Sequence, residues 1–334
     1  MATILDSLAS MMTSEVMGKV GKATGTDPSI LGKGLGAIGP LLLGSMAKSA
    51  STSGGASSLL QMLPQDTGSG FLGNLISGLT GGASSQAGLV NSLLGPGVTA
   101  MAGTLTQKLG FDVRSLLGFA APLMAGLLSK TVKQQNLDAT GVSNLLRSES
   151  DAFMQNPANK EVAGLVSTAL AAGDKAAAIR RSFSDAEWEK IRMAPLTAVY
   201  MVVTASPSGA VGQLKELSAA AEAVSQAVKS TSPTSLVATA FGTGLNQAEL
   251  ELLGKEAPPR ERLLGVLKEA LRLVTQKNPT DAAAFRNIVL DAAQKAAEAS
   301  KEGGFLGIGG TLVSIEEQQA LDAIATALAL SAKA

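Results

Sequence analysis

The stretch Gly39-Pro40-Leu41-Leu42-Leu43-Gly44-Ser45-Met46-Ala47-Lys48 is written a second time as Ala121-Pro122-Leu123-Met124-Ala125-Gly126-Leu127-Leu128-Ser129-Lys130. Each copy follows a Gly-x-Asp step (Gly25/Asp27 and Gly110/Asp112) and precedes a Gly-Leu-Leu step (Gly55/Leu59-Leu60 and Gly141/Leu145-Leu146). The copies are offset by 85 residues at Asp27/Asp112 and by 82 at Pro40/Pro122, so the first carries about three extra residues, most simply Gly32-Lys33-Gly34. What repeats is backbone shape and apolar packing, not chemistry. Units that cannot bury an apolar face alone pack against each other, so the spelling predicts a duplicated helical unit folded as a pseudo-symmetric pair.

Working outward, residues 1–150 are rich in Gly, Ser, Leu and Met and sparse in charge. Glycines crowd 32–39 and again 68–82, with short apolar runs such as Leu72–Ile76 and Leu89–Leu94. The spacing predicts helices of two or three turns, each ended by a glycine supplying positive φ. Pro40 and Pro122 suit a helix first turn or a kink.

Near residue 150 the composition changes. Arg147–Asp151 and Asn156–Lys160 are polar and turn-forming; a helix is expected over Glu161–Ala172, broken by Gly173-Asp174-Lys175. From Ser184 the helix signals are plainer. Ser184-Asp185-Ala186-Glu187 and Ser314-Ile315-Glu316-Glu317 are capping boxes, in which the serine hydroxyl and the glutamate carboxylate satisfy orphan N–H groups reciprocally. Apolar stripes with 3/4 spacing follow: Leu214, Leu217, Ala221, Val224, Val228; then Leu263, Leu267, Ala270, Leu271, Val274; then Phe285, Ile288, Val289, Ala292, Ala296, Ala299; and Leu321, Ile324, Leu328. The fold class expected is all-α, with two helical domains: 1–150 the duplicated unit, 151–183 a connector with one helix, and 184–334 a helical bundle.

Composition narrows the chemistry. The chain of 334 residues has no Cys and no His, which removes disulfides, thiol nucleophiles, imidazole catalysis and N/S zinc sites. Lys and Arg balance Asp and Glu at 27 each, and only one Trp and one Tyr accompany eight Phe. Neither a positive field nor a stacking platform for nucleic acid is present. The first residues lack a basic region and carry Asp6, against a signal peptide. The uncharged stretches 34–47 and 115–129 would reach about 22 Å as helices, short of a bilayer core of roughly 30 Å, so a cytoplasmic protein without an integral membrane segment is expected.

Residues 1–150 resemble an uncharacterised bacterial helical family, domain of unknown function 937, through the two proline-centred phrases and Leu137-Asp138-Ala139-Thr140-Gly141-Val142-Ser143-Asn144-Leu145-Leu146. The resemblance implies an all-helical fold and supplies no activity. The second half resembles the TerB-type helical domain linked to tellurite resistance, in which an Ala-x-Asp-Gly loop precedes a helix with Glu in its first turns. Here Thr204–Gly209 precedes a helix bearing Glu216, and Glu298–Gly304 precedes one bearing Glu316 and Glu317. Ser, in the first loop, and Lys-Glu, in the second, stand where the family has Asp, so its divalent-cation site is not carried over.

Three motifs have a chemical reading beside a plain one. Gly34-Leu35-Gly36-Ala37-Ile38-Gly39 satisfies G-x-G-x-x-G, but a helix-start signal, Asp27-Pro28-Ser29, stands where a strand should, and helix–helix close packing is the better reading. Ser45-Met46-Ala47-Lys48 satisfies S-x-x-K without the accompanying Ser-Asp-Asn and Lys-Thr-Gly elements. Gly303–Gly310 could suggest a phosphate cradle, but no Gly-Lys-Ser/Thr follows; a loop with Phe305 and Ile308 at its tips fits better. Glu216, Glu316 and Glu317 are read as ordinary partners of helix dipoles on solvated faces. The expectation is therefore a non-enzymatic bacterial interaction or self-assembly scaffold, with no catalytic, cofactor-binding or metal residue assigned, binding a protein partner or a second copy through the Gly/Leu/Met-rich helices of the N-terminal repeat. The alternative is a stress-linked cation-responsive module; an enzyme using Ser, Lys or carboxylates stands third.

Overall fold

The structure is a computed structural model that describes residues 3–24, 27–64, 90, 93–244, 258–299 and 313–331. Among these the fold is all-α, with no strand. The glycine-rich run 68–82, Leu72–Ile76, residues 89, 91 and 92 of the run 89–94, and the Gly303–Gly310 loop lie outside the described residues. The chain divides into two compact units, Met1–Lys175 and Ala176–Ala334.

The first unit holds α1 (Ile4–Met11), α2 (Ser14–Thr24), α3 (Pro28–Ala50), α4 (Gly55–Met62), α5 (Val98–Leu109), α6 (Arg114–Gln135), α7 (Ala139–Gln155) and most of α8 (Lys160–Arg181). The two repeated phrases lie in α3 and α6, which pack on each other; α1 lies on α6, and α2, α4 and α7 lie on α3. Ile38, Leu41, Leu42, Leu43 and Met46 from α3 meet Leu116, Phe119, Leu123, Met124 and Leu128 from α6 in one buried core. Each such side chain contributes roughly 1.5–3 kcal/mol on burial.

Two expectations fail here for one reason. Glycine does not punctuate α3: the helix runs 23 residues through Gly32, Gly34, Gly36, Gly39, Pro40 and Gly44. Likewise Gly173 does not break α8. Most of these glycines, Gly34, Gly39, Gly44 and Gly173 among them, sit where neighbours come close. A Cβ on Gly34 would lie 2.6 Å from Leu116 Cδ1, one on Gly39 2.9 Å from Leu8 Cδ2, and one on Gly97 2.4 Å from the Gly173 carbonyl oxygen. Close packing, which side chains would forbid, outweighs glycine's poor helix propensity. Elsewhere glycine does terminate: Gly110, at φ 79°, closes α5, and Asn136 at φ 49° closes α6.

The unit also extends beyond residue 150. Val142 and Leu146 of α7 and Val166 and Ala169 of α8 are buried in its core, so the polar stretch around 147–160 forms helix surface and a turn inside the unit. Asp138 caps α7, accepting from Gly141 N at 2.8 Å. Glu149 of α7 accepts from Ile4 N with both carboxylate oxygens, at 3.1 and 2.9 Å, tying the start of α1 to α7.

The second unit takes the end of α8, then α9 (Asp185–Val203), α10 (Gly209–Ser230), α11 (Leu236–Phe241), α12 (Arg260–Lys277), α13 (Ala282–Ala297) and α14 (Ile315–Ser331). Central α9 packs on α12, α13 and α14; α10 packs chiefly on α13 and also on α9, and α11 touches α9, α10 and α13. Its capping box is formed: Ser184 Oγ accepts from Glu187 N at 3.3 Å and Glu187 accepts from Ser184 N at 2.8 Å. Lys277 Nζ reaches the same carboxylate at 2.5 Å and holds it below the ordinary glutamate range. The stripes of α12, α13 and α14 face inward, with Leu267, Leu271, Val274, Phe285, Ile288, Val289, Ile324 and Leu328 buried.

Helix α10 departs from its pattern. Its buried line is Gly212, Glu216 and Ala220, while Leu214 and Ala221 of the expected stripe are exposed and Leu217 and Val224 are half-buried. The helix is rotated so that part of its apolar stripe faces outward. Val211 and Leu214 are 72% and 67% exposed.

Candidate functional site

The motifs that could carry chemistry resolve into packing. Gly34–Gly39 lies inside α3, where backbone N–H groups serve the helix and cannot cradle a phosphate. Ser45 is buried and its hydroxyl lies 3.7 Å from Met101 Sδ, whereas exposed Lys48 pairs with Asp174. The serine and lysine of S-x-x-K are thus directed to different partners.

The carboxylates behave less simply than dipole partners. Glu316 is exposed as expected, but Glu317 is fully buried, accepting from Ser314 N at 2.8 Å and from Ser314 Oγ at 3.0 Å. Glu216 is also fully buried and lies beyond the first turn of α10, so the helix terminus does not explain its place. Buried carboxylates are costly without polar partners, and the sequence pattern had put both on solvated faces. Among the described residues no group of three or more Asp or Glu is arranged to hold a metal ion.

The most built feature of the second unit is a cavity of about 170 Å³. Pro195, Leu196 and Val199 of α9 form one wall, Leu217 and Val224 of α10 the facing one, and Phe241 of α11 an end. Ala292, fully buried on α13, lines it as well. The small residues Ala220 and Ala221 leave the space that larger side chains would fill. Phe241 is fixed by stacking on Phe285, with centroids 6.3 Å apart and rings 15° from parallel.

Arg192 stands at the rim. Its guanidinium donates to the Ala240 carbonyl and, at 2.7 Å, to the Gly244 carbonyl. A cation is favourable where helix carbonyls end, so this side chain clamps the end of α11 to α9 and keeps the wall in place. No sequence signal marks Arg192, because the partners that hold it, the Ala240 and Gly244 carbonyls and the Thr243 hydroxyl, lie some fifty residues away.

Residues 6–131 match the model of a bacterial protein family of unknown function, DUF937. The chain is similar to that family there. The match falls within the first unit and ends inside α6, and the family brings no activity with it. No curated protein and no solved structure matches the chain.

Proposed function

We propose that this chain is a non-enzymatic interaction protein whose docking face is the outward apolar stripe of α10. The observation that carries this reading is the exposure of Val211 and Leu214, one helical turn apart on the face of α10 turned away from the core. Exposed large apolar side chains in a row, rather than scattered singly, mark a surface built to be covered. The covering element is an apolar helix face of a protein partner, a second copy included.

The Gly/Leu/Met-rich helices of the N-terminal repeat are the other candidate surface, but much of their apolar area is already used inside the chain. In α3 and α6, 72% and 67% of the most apolar window is buried. These helices, and α8, are long and apolar enough to cross a membrane by length and composition. The earlier estimate of about 22 Å failed because α3 continues through its glycines to roughly 34 Å. The burial of α3 and α6 supports core helices and a cytoplasmic protein; α8, with 39% of its window buried, adds nothing to that reading. The order α2–α3–α4 against α5–α6–α7, each with an internal proline in its long helix, supports reading the first unit as a duplication.

Sedimentation of the purified protein tests the main reading. Concentration-dependent association, or a recoverable partner, that Leu214→Glu removes supports it; a strict monomer with no partner sinks it. A second reading, a cation-responsive helical module, draws on the burial of Glu216 and Glu317, two of the three carboxylates of the TerB-like layout. Calorimetric titration with Ca²⁺, Mn²⁺ and Zn²⁺ tests it, and absence of heat together with an unchanged melting temperature dismisses it.

A further inference from the structure

We propose that the cavity between α9, α10, α11 and α13 is a binding site for a small uncharged apolar molecule of about benzene size. This goes beyond the docking face and does not depend on it, since the site lies within one chain. Dry apolar cavities of about 150 Å³ persist in proteins and take up benzene-sized guests, because water entering them would lose its hydrogen bonds. The space here, about 170 Å³, is close to that size, and it opens to the surface beside exposed Ala221, which gives a guest its way in.

Its walls fix the class of guest. Leu196, Val199, Leu217, Val224 and Phe241 offer contact but no directional polar recognition. The charged group at the rim, Arg192, is turned onto the Ala240 and Gly244 carbonyls, so it braces the wall rather than presenting a cation to an anionic guest. A carboxylate or phosphate would be desolvated there without compensation. The cavity is also held open by design of its surroundings. Pro195 and the Phe241–Phe285 stack are rigid, and Arg192 fixes the end of α11 against α9 so that the wall does not shift.

The chain's single tryptophan, Trp188, lies in this unit beside Phe183 and reports its unfolding. Full-length protein is melted by Trp188 fluorescence with and without benzene. At benzene ten times its dissociation constant, the melting temperature should rise by about 3–5 °C. Ala292→Leu fills the floor of the cavity and should abolish the rise; Ala221→Leu, at its exposed edge, should weaken it at least threefold in affinity without affecting folding. No rise in the unaltered protein overturns the proposal. So does an equal rise in both variants, which puts benzene elsewhere. A rise that disappears as protein concentration increases gives the cavity to a second copy and overturns it as well.

Discussion

Replacing Gly36 and Gly97 by alanine separates two explanations of the glycine-rich spelling. If glycine is present for backbone freedom, both substitutions should destabilise. If it is present for close packing, only the crowded position should suffer. A Cβ on Gly36 meets nothing within 4 Å, and the residue is exposed in the interior of α3. Gly36→Ala should therefore stabilise the first unit by about 0.5–1 kcal/mol, the helix-propensity difference. At Gly97 the backbone is at φ −89° and ψ 0°, open to alanine, so conformation is not the obstacle. There the new Cβ would sit 2.4 Å from the Gly173 carbonyl oxygen and 2.6 Å from its Cα, backbone atoms that cannot swing aside. The expected loss is about 1–3 kcal/mol, the usual cost of overpacking. Trp188 and Tyr200 both lie in the second unit, so fluorescence does not report on the first. Hydrogen exchange of peptides from α3 and α5, followed by mass spectrometry in a urea series, reads the first unit directly. If Gly36→Ala slows folding or loosens α3 as much as Gly97→Ala, the packing argument is refuted.

Glu149 gives a pH prediction. Burial is the largest influence on its carboxyl and lifts it above the ordinary 4.5, against the hydrogen bond from Ile4 and with repulsion from Asp6. The folded state thus holds this proton more tightly than the unfolded one, so its contribution is full below the ordinary value and is lost as pH rises through the lifted one. Urea midpoints of the first unit should fall across that window, and Glu149→Gln should flatten the slope; an unchanged slope counts against it. Ser184→Ala removes the cap of α9 and should cost about 1 kcal/mol, lowering the Trp188-reported melting temperature by roughly 2–4 °C. Val211→Asp with Leu214→Glu should leave that melting temperature within about 2 °C while abolishing association, because both side chains are exposed; a loss of folded protein would show the stripe to be core after all.

Local signals were enough for helices and their ends. The Ser184 and Ser314 boxes, Asp138 before α7 and Gly110 after α5 involve atoms within a few residues, and the stripes of α12 and α13 follow a 3.6-residue period, so the sequence carries them. The role of an in-helix glycine is different in kind. Gly34, Gly36 and Gly39 read alike in one dimension, yet one faces Leu116, one faces nothing and one faces Leu8. Only the neighbour's position distinguishes them.

The same divide governs the site. Composition alone set the chemical menu of this protein, since a chain without Cys or His cannot assemble sites that need them. Periodicity alone made it helical. Which face of α10 turns inward was decided by the packing of α13 and α9 against it, because a helix that can bury either Leu214 or Glu216 has its rotation fixed by its neighbours. That rotation buried a carboxylate, exposed an apolar row and left the space beneath it empty.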